Sequence, residues 1–300
     1  VITRYLFKEL PEAPAEAWLA SLSWEWSELI DHQDQFFQIL TNYGRFFERH
    51  SEVGSPYSSL FALLHLTRKA GEQVTLTVQN AGSDRRPLDD FLAAMQTGLD
   101  QNRVRIVAPR VPVGWHHLVS RTTDARKMPW LEATQTLNGS GPNQRGKYKS
   151  AYMKKGFPES QHQTIWKWLT VEDDQYPANP QALLQVDSYG CQVNAVAPDA
   201  TAVPQRSSIL KLQYQTYWTE PAQDHANLAW INGFYQEMYG DRGPWPDDTF
   251  DGCYVNYCDS DLKDWQVLYY KDNYPRLQRV KAQWDPLNVF HHGQSIGLPG

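Results

Sequence analysis

The sequence predicts an α+β fold in which helices pack on one face of a large, largely antiparallel β-sheet. Strand and helix patterns alternate along the chain, and the strands are joined both by short turns and by single helices. Short turns join antiparallel strands, whereas parallel strands need a long crossover. The 300 residues are 41% hydrophobic and 21% charged, which is a globular composition and excludes intrinsic disorder.

The first elements follow from side-chain spacing. Residues 1–7 are β-branched and aromatic, which predicts a strand. Apolar side chains recur at helical spacing over 14–22 and 33–48. Residues 59–67 and 73–79 are predicted as strands joined by a hairpin-like turn, since polar and apolar residues alternate in the second of them.

The next elements repeat the same two periodicities up to residue 239. The predicted helices are 88–99, 158–169 and 222–239. The predicted strands are 147–153, 182–189, 192–197 and 209–218.

A change of composition follows residue 239, because residues 240–252 are rich in Gly, Pro and Asp. We therefore predict an α+β domain over residues 1–240 and a separate C-terminal segment over residues 241–300. A helical pattern over residues 264–284 is the main element of that segment.

Composition also restricts the partners. A net charge of −6 argues against binding to a nucleic-acid backbone, and no apolar run is long enough to span a membrane. Three cysteines with no complementary Cys/His spacing predict no metal site. The 12 Trp and 16 Tyr side chains suit a wide ligand site, although an aromatic core explains them equally well.

The densest group of functional side chains lies at residues 253–262. In strand geometry Tyr254 and Asn256 would face one way, and Tyr257 and Asp259 the other. A phenol and an amide so placed can contact two sides of a flat ligand. An edge strand with cross-strand aromatic pairs accounts for the same residues.

Several motifs resemble those of the berberine bridge enzyme-like flavin oxidases, which belong to the vanillyl-alcohol oxidase and p-cresol methylhydroxylase superfamily. Residues 254–262 resemble the family motif YxNYxDxDL. Weaker similarities lie at residues 147–152, 188–190 and 199–206, where Gln205 replaces the family's His. The bacterial branch that oxidises sugars or glycosylated natural products is the most similar.

The resemblance implies FAD as the cofactor and a substrate-binding role for residues 1–240. Residues 241–300 would return to complete an FAD-binding domain. Residues 1–5 resemble the end of the strand that closes that domain. The chain is therefore expected to lack an N-terminal FAD-binding domain, through whose residues FAD would be covalently attached. Binding of free FAD by this chain alone is expected to be poor.

The resemblance also implies catalytic roles. Tyr257 is similar in position to the family's base, which removes a hydroxyl proton while hydride passes to flavin N5 and O2 then yields H2O2. This role requires the Tyr257 pKa to fall from about 10 toward neutrality. Lys211 is the candidate cation for lowering it, and Gln213 shares its strand face near the flavin. A lysine whose stem packs at a sheet edge is the alternative for Lys211.

Further site residues are expected in part from the same resemblance, and Tyr152 and Trp218 are expected as aromatic walls for a sugar ring. The expected cofactor contacts are Asn256, Tyr257 and Gln294. For Asn256, a side chain that stabilises the loop is the alternative. The expected substrate contacts are Tyr152, Gln185, Asp187 and Trp218. Core packing explains Tyr152 and Trp218 equally well.

Three functions remain open at this point. The leading one is an FAD-dependent oxidase acting on an alcohol or hemiacetal group of a sugar, oligosaccharide or glycosylated natural product. The second is a flavin dehydrogenase or oxidative cyclase with an alkaloid-like or phenolic substrate. The third is a non-catalytic carbohydrate-binding module. Relatives are commonly exported, so a secreted or periplasmic location is expected.

Overall fold

The computed structural model describes residues 4–7, 10–110, 124–137 and 144–300. A seven-stranded sheet forms its centre, and all of the strand pairings are antiparallel. The strands are β1 (Glu16–Glu25), β2 (Leu60–Thr67), β3 (Gln73–Ala81), β4 (Arg126–Pro129), β5 (Arg145–Met153), β6 (Leu183–Ser188) and β7 (Leu210–Trp218). Their order across the sheet is β4-β1-β3-β2-β6-β7-β5. The predicted α+β class is confirmed.

Eight α-helices accompany the sheet in the described part of the chain. They are α1 (Trp26–Leu29), α2 (Gln33–His50), α3 (Arg86–Gln96), α4 (Trp130–Leu137), α5 (Glu159–Thr170), α6 (Asp224–Tyr239), α7 (Trp265–Tyr270) and α8 (Tyr274–Trp284). None of the described helices is long and apolar enough to cross a bilayer.

Strand alternation gives the sheet two different faces. In β7, Leu212 and Tyr214 are fully buried, and the Tyr214 ring meets Phe234 of α6 edge-on at 5.0 Å. We call this side the helix face. Lys211 and Gln213 point to the other side, which we call the polar face. The main apolar core thus lies on the helix face, while Lys211 and Gln213 project from the polar face, which α4 covers in part at β1.

The structure corrects the prediction of a helix over residues 14–22, which lie largely in β1. Six consecutive residues of this strand, 19–24, are buried, so no polar–apolar alternation marks it as a strand. It lies between β3 and β4, and both neighbours supply backbone hydrogen bonds. The tertiary pairing therefore overrides the local helical spacing.

The predicted strand at residues 192–197 is also wrong. Gly190 has φ 107° and Cys191 has φ 50°, so the chain leaves β6 through a left-handed turn. A short 3₁₀ helix, Cys191–Ala195, follows instead of a second strand. Residues 1–3 lie outside the described residues, and residues 4–7 form no strand.

The C-terminal segment packs against the sheet. Cys253, Leu268 and Tyr269 belong to the same apolar core as the strands. The predicted helix over 264–284 is interrupted between α7 and α8, where Lys271 has φ 45°. The domain boundary at residue 240 stays a prediction.

Candidate active site

Residues 253–262, which we call the crossing segment, follow the free edge of β5. Just before them, Asp251 N–H donates to the Tyr152 carbonyl at 2.9 Å, and Tyr152 N–H donates to the Gly252 carbonyl at 2.8 Å. Tyr254 N–H then donates to Ser150 Oγ at 2.9 Å. A turn follows, closed by Tyr257 N–H donating to the Tyr254 carbonyl.

This turn corrects the predicted strand geometry of the crossing segment. The rings of Tyr254 and Tyr257 do not face opposite ways but lie side by side, with centroids 4.9 Å apart. The backbone turn, and not strand alternation, therefore places both phenols on the polar face.

A lysine meets both of these rings. Lys211 Nζ lies 5.3 Å from the ring centroid of Tyr254 and 5.4 Å from that of Tyr257. The same ammonium pairs with Asp187 Oδ2 at 2.7 Å. Asp187 and Lys211 are directly opposite each other on β6 and β7, which fixes their meeting. Three predicted site residues are thus brought together on the polar face.

The protonation of Tyr257 differs from the expectation. Burial raises the pKa of the Tyr257 phenol, and the Asp187 carboxylate raises it further. Lys211 lowers that pKa but does not offset both, so the pKa lies above its ordinary value in this chain. Burial lowers the pKa of Lys211, yet Asp187 and Tyr257 more than compensate and leave it raised. Lys211 is therefore a charged neighbour of a neutral phenol at neutral pH.

Amide side chains extend the site toward the sheet centre. Gln185 Nε2 donates to Asp187 Oδ1 at 2.7 Å, and Gln215 Nε2 donates to Gln185 Oε1 at 3.1 Å. Nε2 of the half-buried His65 lies 3.0 Å from the same Gln185 oxygen, and burial lowers the pKa of this imidazole. Gln213 sits opposite Gln185 on the neighbouring strand. As an amide it cannot act as a base.

Phenol rings border these polar groups. Tyr152, only 1% exposed, lies with its ring 5.1 Å from Tyr189 and 6.1 Å from Tyr254. Tyr148 stacks on Tyr257 at 6.2 Å, with an interplanar angle of 20°. The Tyr217 hydroxyl lies 2.6 Å from that of Tyr148. Sequence reasoning missed Tyr148, Tyr217, His65, Tyr189 and Gln215. Strand alternation from Tyr152 and Lys211 would have indicated the first two of these.

Trp218 is not part of this group. It lies on the helix face, 5% exposed, and its Nε1 donates to Asp224 Oδ1 at 2.5 Å. Asn256 is exposed, and its Nδ2 donates to the Tyr254 hydroxyl at 2.8 Å. Gln294 Nε2 donates to the Asp259 carbonyl at 2.8 Å, so this amide supports the crossing segment.

Gln205, the residue that departs from the family pattern, is 1% exposed. Its Nε2 donates to the carbonyl groups of Leu268 and Tyr269, each at 3.2 Å. This amide therefore ties the loop before β7 to α7.

The side chains of the polar face suit a flat, neutral ligand with polar edges. Amides of Gln213 and Gln215 offer both donors and acceptors, and the phenol rings offer apolar planes. The ion pair of Asp187 and Lys211 carries no net charge. This donor set fits a flavin ring. Among the described residues, no three His, Cys, Asp or Glu side chains group closely enough to hold a metal ion.

Comparisons with known proteins agree with this interpretation. Residues 253–297 match the family described as "Berberine and berberine like". The chain is 35% identical over 326 residues to aclacinomycin-N/aclacinomycin-A oxidase of Streptomyces galilaeus, with 100% of this chain and 55% of that protein covered. It is 36% identical over 332 residues to hexose oxidase of Chondrus crispus, with 99% and 59% covered.

Solved structures share the fold. Aclacinomycin oxidoreductase has a TM-score of 0.80 at 34% identity, and the match covers 97% of this chain and 57% of that one. Glycopeptide hexose oxidase DBV29, solved in complex with teicoplanin, has a TM-score of 0.81 at 31% identity, with 96% and 56% covered. The shared fold and these relatives place the chain in the structural class of the FAD-linked oxidoreductases.

The chain belongs to the berberine bridge enzyme-like family within that class. Family membership implies FAD as the cofactor. The chain spans somewhat more than half the length of the curated relatives it matches.

Proposed function

We propose that this chain is the substrate-binding part and C-terminal segment of an FAD-dependent oxidase. The proposed substrate is a sugar, an oligosaccharide or a glycosylated natural product, oxidised at an alcohol or hemiacetal carbon. Relatives named as a hexose oxidase, an aclacinomycin oxidase and a glycopeptide hexose oxidase support the substrate class. The proposal includes O2 as the final electron acceptor, with H2O2 as its product.

The observation that carries the proposal is the contact of one lysine with two phenols. Lys211 Nζ lies within 5.4 Å of both ring centroids, and its charge favours a phenolate at Tyr257. A phenolate beside a substrate hydroxyl can accept its proton as the carbon is oxidised. Because the pKa of Tyr257 is raised, the proposed reaction should accelerate as the pH rises and more phenolate forms.

The other side chains of the polar face orient the substrate. Gln185, Gln213 and Gln215 offer amides that can hydrogen-bond sugar hydroxyls, and Tyr148 and Tyr152 supply aromatic walls. Asp187 holds Lys211 at 2.7 Å and keeps its ammonium near the phenols. Tyr257 and Asn256 are the residues we propose to lie against FAD. FAD, when bound, supplies the acceptor for the hydride that leaves the substrate carbon.

A further domain is part of the proposal. Trp284, Leu287 and Phe290 near the C-terminus are 77%, 84% and 66% exposed. Exposed apolar groups of this size are typical of surfaces that bind another protein segment. We propose that an FAD-binding domain covers them and carries the covalent attachment of FAD.

The proposal is tested with the flavin-loaded protein that contains this chain. Candidate sugars, their methyl glycosides and a phenolic alcohol are added anaerobically while flavin absorbance is recorded. We expect bleaching by a sugar, followed by stoichiometric H2O2 when oxygen is admitted. A sugar that bleaches while its methyl glycoside does not would assign the hemiacetal carbon as the reacting one.

Three outcomes contradict parts of the proposal. Bleaching by the phenolic alcohol alone would replace the proposed substrate class. Reoxidation without H2O2 would indicate a dehydrogenase. Sugar binding with no flavin in the protein would favour a carbohydrate-binding module.

A further inference from the structure

The crossing segment passes from one face of the sheet to the other within a few residues. Tyr254 and Tyr257 lie on the polar face, beside Lys211. Two residues later, Asp259 lies on the far side of β5, where Lys147 and Lys149 project. Lys147 and Lys149 alternate along β5 with Tyr148 and Ser150, which lie on the polar face. Strand β5 therefore separates the phenols of Tyr254 and Tyr257 from these two lysines and Asp259.

The carboxylate, the N–H and the carbonyl of Asp259 all form hydrogen bonds. Its Oδ1 accepts from Lys147 Nζ at 2.7 Å and its Oδ2 from Lys149 Nζ at 2.8 Å. Its N–H donates to the Tyr269 hydroxyl at 3.1 Å, and its carbonyl accepts from Gln294 at 2.8 Å. The side chain is only 1% exposed.

The charges around Asp259 balance. Asp261 pairs with the same two lysines, at 2.9 Å from Lys147 and 3.2 Å from Lys149. Burial raises the pKa of Asp261, but the lysines more than offset this and leave it lowered. Burying charges is costly, and a fully paired network contributes a fixed geometry more than it contributes stability. A network of this kind is suited to fixing the position of the crossing segment.

We propose that Asp259 is a positioning residue for Tyr257, because its hold on Lys147 and Lys149 sets where the phenol lies relative to Lys211. The inference rests on the proposed function of Tyr257 and adds a residue that does not reach the polar face. The other anchor of the turn is the single bond from Tyr254 N–H to Ser150 Oγ, which precedes Tyr257. Without the ion pairs of the Asp259 side chain, the chain after Tyr257 keeps only the backbone bonds of Asp259 to Tyr269 and Gln294, which hold the phenol less firmly.

The test is Asp259→Asn in the flavin-loaded protein that contains this chain. The matched control is Asp224→Asn, which removes the charge of an acid paired with Arg145 on the outside of the fold. We expect the rate constant of flavin reduction to fall about 10²-fold with KM within about threefold, since small displacements of a reacting group cost this much. The alkaline rise of the rate should also move to higher pH, because Tyr257 leaves its cation.

A second readout does not depend on catalysis. Hydrogen exchange followed by mass spectrometry should show faster exchange of the Tyr257 and Asp259 amides in Asp259→Asn and no change in Asp224→Asn. If Asp259→Asn does not fold, Lys147→Met serves instead. It leaves Lys149 paired and should give a smaller effect in the same direction.

The inference is overturned if exchange quickens while the rate constant and its pH profile stay at parent values. It is equally overturned if the rate falls equally at every pH with no shift of the profile. A failure of the proposed function gives a different result: Tyr257→Phe would then leave flavin reduction unchanged, whatever Asp259→Asn does to exchange.

Discussion

Replacing Lys211 by Met isolates the electrostatic effect on Tyr257, because it removes the charge and keeps an unbranched side chain. The ammonium lies 5.4 Å from the ring centroid. At an effective dielectric constant of about 20, unit charges at this separation interact by about 3 kcal/mol, which corresponds to about two pKa units. Solvent access to the half-buried phenol reduces the expected rise in the Tyr257 pKa to about one unit.

The assay is the pH dependence of flavin reduction measured by stopped flow. In Lys211→Met the alkaline rise of the rate should move up by about one pH unit, so the rate below it falls about tenfold. Asp187→Asn should move the rise down, because Asp187 raises the pKa of Tyr257. Lys211→Arg keeps the charge and should stay near the parent profile. A Lys211→Met protein that is slower at every pH, with an unmoved profile, would refute the electrostatic role.

Three further predictions concern stability and reactivity. Burial raises the pKa of several tyrosine phenols. Below pH ~10 these phenols are protonated in both the folded and the unfolded chain, whereas above that pH they stay protonated only in the folded chain. The urea midpoint of unfolding should therefore fall as the pH rises beyond about 10. The phenols concerned are Tyr152, Tyr217, Tyr239, Tyr257 and Tyr269. Burial raises the pKa of the Cys253 thiol to about 12, so iodoacetamide at pH 8 should label the exposed Cys258 and spare Cys253 until the protein unfolds. Gly44→Ala places a Cβ 2.8 Å from Gly156 Cα and should destabilise the fold by about 1–3 kcal/mol in urea unfolding, whereas Gly293→Ala, with open space around it, should not.

Much of the fold was predictable because its elements carry local signals. Residues 33–48 and 59–67 have clear periodicities, and the helix and strand formed there agree. The strand β1 carries no such signal, since its central residues are all buried and its partner β3 lies about 50 residues away. Such a strand forms because of pairing with residues distant in the sequence, and the spacing of side chains along the chain carries no information on that pairing.

The candidate site was predictable only in part for the same reason. Asp187 and Lys211 were identified singly, but their pairing across β6 and β7 follows from strand register. Trp218 was assigned to the substrate on residue type alone, and strand alternation from Lys211 would have put it on the helix face. The raised pKa of Tyr257 was missed because burial is a property of the folded chain, whereas the sequence shows only the candidate cation.

The role of Tyr257 as the base is tested most directly by the rate of anaerobic flavin reduction in Tyr257→Phe. The control is Tyr57→Phe, which removes a remote hydroxyl bonded to Asp90. Removing a general base should lower the rate constant by about 10²–10⁴-fold while the flavin content stays at the parent level. A loss smaller than about tenfold, with flavin content unchanged, would contradict the assignment of Tyr257 as the base.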